Sequence, residues 1–247
     1  MKSRIVLTKN VAALHDAGEA LRLRAPGMPG MGLVHGETGY GKTTAITWMA
    51  NRANAVYVRA LAAWTPAAMF RSILRELGRD VRGGSCADMI ETIVEALAMS
   101  GRPLYIDEAD YLVDSKRMTE SLRDIHDMAT SPVILVGMGG IDARLSHRKQ
   151  LTGRVMQDVR FNPLDLEDAS TIARELCEID LAPDLLEHLH RESCGSTRLI
   201  CVGLARIEQS ARSRGLGQIS LADWGKRALF TGDAPTANAQ AGLRVVR

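Results

Sequence analysis

The segment Gly36-Glu-Thr-Gly-Tyr-Gly41-Lys42-Thr43 constrains this chain more than any other. It fits the pattern GxxxxGK[ST], in which glycines let the backbone wrap around an anion and turn its N–H groups inward. An apolar run, Gly32–His35, precedes the loop, and a helical pattern, Lys42–Arg52, follows it. That context is required, because the helix N-terminus adds a positive end to the anion site. The candidate nucleotide-binding segment is therefore Gly36, Glu37, Thr38, Gly39, Tyr40, Gly41, Lys42, Thr43 and Thr44. Lys42 is the candidate for the β- and γ-phosphates of ATP, and the Thr43 hydroxyl for Mg²⁺.

A second run, Leu104-Tyr-Ile-Asp107-Glu108, is an apolar strand that ends on two adjacent carboxylates. Such a pair is expensive to hold without a cation nearby. Asp107, at the strand tip, is the candidate to hold Mg²⁺ through water, and Glu108 the candidate to orient and deprotonate an attacking water. A base beside a metal-holding acid favours hydrolysis over transfer to a metabolite.

The rest of the chain alternates short β-branched runs with longer amphipathic ones, the mark of a parallel α/β sheet. Expected strands are Gly32–His35, Ala55–Val58, Leu104–Asp107, Val133–Gly137 and Val159–Phe161, apolar on both faces. Expected helices between them are Asn10–Arg24, Lys42–Arg52, Pro66–Leu77, Ser85–Ser100 and Ser115–Ala129. After Pro163 three helices follow with no intervening strand: Leu166–Glu178, Pro183–Glu192 and Thr197–Arg214. The fold class is α/β, a parallel-sheet P-loop NTPase core over 1–162 with a small all-helical lid over 163–230. The remainder, 231–247, is Ala-, Thr- and Asn-rich and is expected to be a flexible tail.

Composition narrows the function classes. At 247 residues and 46% hydrophobic, disorder throughout is excluded, and aromatics at 4% leave the core to aliphatic side chains and Met. The longest apolar run, Val133 to Ile141, is far short of the ~20 residues a membrane span needs. The N-terminus shows no secretory signal, and Cys86, Cys177, Cys194 and Cys201 form no CxxC pair. A cytoplasmic protein with buried free thiols and no membrane partner is expected. Lys plus Arg is 31 and Asp plus Glu 29, a formal charge of only +2. The basic residues are clustered, however: five lie in Arg144–Arg160 against Asp158 alone, and six in Arg198–Arg227 against Glu208 and Asp223. Such clusters suit a solvated face or an anionic partner.

The phosphate loop, the IDEAD run (Ile106–Asp110) and the helical segment together resemble an AAA+ ATPase. The resemblance is to the phage Mu B-protein/IstB-like group of transposition ATPases and spans roughly residues 5–230. It is carried by VYVRALAAWTPAAMFRSILRELG (Val56–Gly78), IDEADYL followed by ESLRDIHD (Glu120–Asp127), LTGRV (Leu151–Val155) and CGSTRLI (Cys194–Ile200). By position it implies that Arg154 is an arginine finger acting on a neighbouring subunit's nucleotide, with Arg148 as the alternative. Arg198 is implied as the lid arginine that reads the γ-phosphate. It further implies DNA contacts at Arg123, at Lys116 and Arg117 in the loop leading to it, and at Arg59 and Thr65 after the second strand. The implied partners are double-stranded DNA, largely independent of its sequence, a transposase, and further copies of the chain in a ring or helical filament.

Two departures from the group stand out. Its fourth strand usually ends on a polar residue that positions the lytic water, whereas Val136-Gly137-Met138-Gly139 supplies none. Turnover is therefore expected to be slow, or to use Thr130, Ser131 or backbone in that role. Only 35 residues precede Gly36, so the N-terminal DNA-binding helical domain of the Mu member is expected to be absent. The alternative function is a protein-remodelling or secretion-associated AAA+ ATPase that binds no DNA.

Overall fold

The computed structural model describes residues 1–79 and 84–230, so the expected tail lies outside the described residues. The chain divides into two compact units. One comprises Ala12–Thr38 and Lys42–Phe161; the other comprises Met1–Val11, Gly39–Gly41 and the described chain from Asn162 on.

The first unit carries most of α1 (Lys9–Arg22), then β1 (Met31–Gly36), α2 (Lys42–Arg52), β2 (Val56–Arg59), α3 (Pro66–Glu76) and α4 (Cys86–Ser100). It continues through β3 (Leu104–Asp107), α5 (Asp110–Val113), α6 (Lys116–Ala129), β4 (Val133–Met138), α7 (Ile141–Ser146), α8 (Lys149–Thr152) and β5 (Val155–Phe161). The strands form one parallel sheet in the order β2-β3-β4-β1-β5.

Strand periodicity sorts the side chains into two layers. Met31, Leu33, Val56, Val58, Leu104, Ile106, Val133 and Leu135 join one core with Phe70, Ile73, Ile93, Leu97, Leu122 and Ile125 of α3, α4 and α6. The alternate positions Gly32, Val34, Tyr105 and Ile134 face Leu14, Gly18 and Leu21 of α1. β5 departs from the expectation: it starts at Val155, and as an edge strand it leaves Met156, Asp158 and Arg160 exposed.

Helix ends follow local chemistry. Pro66 opens α3 behind the Thr65 cap, and Ser85 and Asp88 form a reciprocal capping box on α4. Ser115 caps α6 through the Met118 N–H, and Thr130 ends that helix in a left-handed conformation, φ 54°. Among the described residues no helix is long and apolar enough to cross a membrane.

The second unit contains α9 (Leu166–Leu176), β6 (Asp180–Leu181), α10 (Pro183–Ser193), α11 (Thr197–Ser213), β7 (Gln218–Ile219) and α12 (Leu221–Trp224). β6 and β7 pair in parallel, so a two-residue strand does intervene between the first two helices, contrary to expectation. Two residues are too few to show any periodicity. Ile172, Leu185, Leu189, Ile200, Leu204 and Ile207 form this unit's core, and Val6 of the N-terminal segment joins it. The Lys2 N–H also donates to Leu176 O at 2.7 Å.

Of the four cysteines, expected to be buried, only Cys177 is. Cys194 is exposed where it caps α10 in a left-handed conformation.

One glycine shapes the sheet end that carries the site. A Cβ on Gly137, near the end of β4, would stand 2.7 Å from Asp110 Oδ2 and collide with Ile141 Cδ1. Overpacking of this kind costs about 1–3 kcal/mol. Gly137→Ala is expected to lower the urea midpoint accordingly; an unchanged midpoint would show that the Asp110 contact is soft.

Candidate phosphate-loop site

The loop after β1 needs its glycines. Gly36 has φ 151°, and a Cβ there would collide with Phe161 O. Gly39 and Gly41 follow at φ 90° and 86°, left-handed values that glycine adopts without strain. Gly39 O accepts the Arg198 N–H at 2.9 Å and the Ser196 hydroxyl at 3.4 Å. Thr197 Oγ1 is buried with no hydrogen-bond partner among the described residues, 3.5 Å from where a Gly41 Cβ would stand.

Lys42 Nζ turns back to donate to Gly36 O at 2.6 Å and Glu37 O at 2.9 Å. Burial lowers its pKa, opposed by the charges of Asp107, Glu108, Glu37 and Asp110. A half-buried ammonium turned back onto a glycine loop fits a phosphate-bearing ligand.

Asp107 ends β3 almost fully buried. Its Oδ2 accepts the Tyr57 hydroxyl at 2.9 Å, and its Oδ1 accepts the Glu108 N–H at 2.9 Å. Burial, and then the Asp107 charge, push the Tyr57 hydroxyl up to about 12, so it stays a donor at neutral pH. Glu108 sits at φ 55°, an uncommon conformation for this residue type and one that collects at functional sites. Its Oε1 accepts from Arg59 Nη2 at 3.0 Å. Thr43 and Thr44 lie exposed in the first turn of α2, leaving the Thr43 hydroxyl available beside the loop. The hard oxygens of Thr43 and Asp107 suit Mg²⁺, which keeps most of its own waters.

Thr130 and Ser131 are not at this end of the sheet. They precede β4, whose six residues span about 20 Å. Thr130 caps α6, and the Ser131 hydroxyl donates to Leu97 O. The polar group at the end of β4 is instead Asp110, whose Oδ2 accepts the Met138 N–H at 2.7 Å. Arg144 holds the other oxygen at 3.2 Å and pairs with Asp114 at 2.7 Å. Asp110 belongs to the IDEAD run, and its offset from Asp107 is the only signal in sequence that could mark it.

The implied arginines differ in their partners. Arg154 pairs with Asp127 at 2.9 Å, which raises the arginine's pKa; burial of Asp127 is outweighed by Arg154 and His126, which hold its carboxyl low. Arg148 donates to Asp114 O at 2.9 Å. Arg198 is exposed, and among the described residues its guanidinium has no hydrogen-bond or ion-pair partner. Lys116 and Arg117 occupy the first turn of α6 rather than a loop, because Ser115 caps the helix directly before them. The Thr65 hydroxyl is used as a cap. Arg123 is held by Asp124 and Gln150. A cavity of about 390 Å³ brings Lys116 and Arg123 together with Arg148 and Lys149, against Glu120 as its one acidic lining residue.

Sheet order, phosphate loop and strand-end carboxylates define the parallel α/β fold of P-loop NTPases of the AAA+ type. Residues 27–145 match the family model described as an AAA domain. No curated protein matches the chain in sequence. Among solved structures, the ORC2 protein of Aeropyrum pernix, in ADPNP–ADP complexes, superposes with a TM-score of 0.68 at 19% identity, covering 89% of this chain and 67% of that one. The ORC1 protein of the same organism, in complex with DNA, gives 0.60 at 22% identity, covering 87% and 63%. The RuvB Holliday junction branch migration motor of Thermotoga maritima gives 0.59 at 21%, covering 87% and 66%. At these identities the likeness is one of fold.

Lys42→Ala is expected to abolish saturable binding of a fluorescent ATP analogue while leaving the thermal midpoint within a few degrees of the parent. Undiminished binding would remove the loop's assigned role.

Proposed function

We propose that this chain is an ATP-dependent DNA-binding regulator of transposition. In this reading it assembles on duplex DNA and delivers target DNA to a transposase. The observation that carries the DNA link is the Arg59–Glu108 pair, because it joins a candidate DNA contact to the candidate base. Arg59 is 60% exposed and reachable by a phosphate, whereas Glu108 is 28% exposed. While Arg59 occupies Glu108 Oε1, that oxygen is not free to accept a proton from water. A DNA phosphate that draws Arg59 away frees it. DNA binding thereby promotes turnover.

Lys42 binds the β- and γ-phosphates of ATP, and Thr43 and Asp107 hold Mg²⁺, which supplies charge neutralisation at the phosphates. Glu108 takes the proton of the attacking water. Arg154 is the finger toward a neighbouring subunit and must leave Asp127 to serve. Arg198, whose guanidinium has no partner among the described residues, reads the γ-phosphate. The basic cavity of Lys116, Arg123, Arg148 and Lys149 receives the DNA backbone, with Arg117 and Arg59 as further contacts. Support for DNA also comes from the fold, since the ORC1 protein of Aeropyrum pernix was solved with DNA. The transposition role rests on the sequence resemblance of Val56–Gly78, Glu120–Asp127, Leu151–Val155 and Cys194–Ile200. Assembly as a ring or filament rests on the same resemblance.

Fluorescence anisotropy with labelled duplexes of unrelated sequence, over a range of salt, tests this reading. All duplexes should bind alike, with affinity falling steeply as salt rises. Arg123→Glu should weaken every duplex equally and reduce the slope of log affinity against log salt by about one. Absence of duplex binding, or an Arg123→Glu protein that binds as the parent does, would favour a remodelling or secretion-associated ATPase instead.

A further inference from the structure

A cavity of about 740 Å³ lies on the α1–α2 side of the sheet, at the end opposite the phosphate loop. Its lining includes Gly101, Pro103, Ser131 and Pro132, which precede β3 and β4, whereas the loop and the carboxylates follow strand C-terminal ends. Its size falls in the range of ligand pockets, roughly 300–1,000 Å³. The mechanism above uses none of its residues.

The floor is unusual. Strand alternation turns Tyr105 away from the main core and toward α1. The residue is only 2% exposed and lines the cavity, yet its hydroxyl makes no hydrogen bond among the described residues. The hydroxyl oxygen keeps solvent access through the cavity it lines, so it is open to a partner there. Burial pushes its pKa up to about 12, leaving it protonated and able to donate. Gly18 of α1 keeps the space beside this hydroxyl open: a Cβ there would stand 3.8 Å from the oxygen and 2.8 Å from Met49 Cε. Met49, Ala98, Pro103 and Ile134 make the walls apolar.

The rim is cationic. Arg22, Arg24 and Arg52 line it, with Glu19 as its one acidic lining residue. Glu19 satisfies Arg22 at 2.7 Å, and Arg24 donates to the carbonyls of Leu21 and Thr130. Arg52 lies 5.9 Å from the Trp48 ring centroid and has no ion-pair or hydrogen-bond partner among the described residues. A cation held at the mouth by a ring contact, and a hydroxyl on the floor with no hydrogen bond among the described residues, define a ligand chemistry across apolar walls.

We propose that this cavity is a second binding site, for a small and largely apolar molecule bearing one acidic group. The acid meets Arg52 and a hydrogen-bond acceptor on the body meets the Tyr105 hydroxyl.

Isothermal titration of the full chain tests this with 6-hydroxy-2-naphthoate and its neutral carbinol, 6-hydroxy-2-naphthalenemethanol. The naphthoate should bind saturably at one site, and equally well to the Lys42→Ala protein, so that failure of the phosphate-loop reading leaves this test intact. The carbinol should bind at least tenfold more weakly. Arg52→Gln should weaken the naphthoate about tenfold, and Tyr105→Phe, which keeps the ring's packing, severalfold. Each variant's circular dichroism and thermal midpoint establish that it is folded. No saturable binding would mean that the cavity holds solvent only and would overturn the proposal. Binding indifferent to both substitutions would place the probe elsewhere and overturn it equally.

Discussion

The Lys42 ammonium sits half-buried on the loop after β1, bound to two carbonyls and facing the charges of Glu37, Asp107, Glu108 and Asp110. Desolvating a cation is costly, and here the surrounding carboxylates offset only part of that cost. The carboxylates in turn repel one another unless a cation stands among them. Much of the sheet's end is built to keep these charges together. Gly36 lets the chain pass Phe161, Tyr57 holds Asp107 in place, and Gly137 leaves room for Asp110. A phosphate chain brought to the loop would meet Lys42 and the backbone N–H groups on one side, with the acidic strand ends across β4.

Two further contacts shape this arrangement. Asp110 occupies the end of β4 by accepting the Met138 N–H, so a strand with no polar side chain still has a carboxylate at its tip. Arg59, paired with Asp107 in strand register, reaches across to Glu108. In the proposed mechanism the first contact keeps charge near the site and the second restrains the base. In that proposal the restrained base slows turnover in the absence of DNA.

Much of this was legible in sequence because it is written locally. The glycine loop, the β3 strand ending on Asp107 and Glu108, and capped helices such as α4 depend on neighbours only a few residues away. The five strands were recognisable from short apolar runs, although β5 was longer than its apolar part because its outer residues face solvent. What sequence did not reveal depends on distant partners. The Arg154–Asp127 and Arg59–Glu108 pairs join residues 27 and 49 positions apart. Val6 belongs with the second unit's core although it precedes the sheet. Thr130 and Ser131 looked close to the site because β4 follows them, yet a strand carries its two ends to opposite edges of a sheet. The short helices α7 and α8 are too brief to show a period of 3.6.

Steady-state ATP turnover of the parent and of Arg59→Ala, each measured with increasing duplex DNA, tests the proposed coupling most directly. The account predicts that DNA raises the parent's turnover to a plateau. It also predicts that Arg59→Ala turns over near that plateau without DNA and gains little from it. A parent rate that ignores DNA, or an Arg59→Ala rate at the parent's unstimulated level, would contradict it.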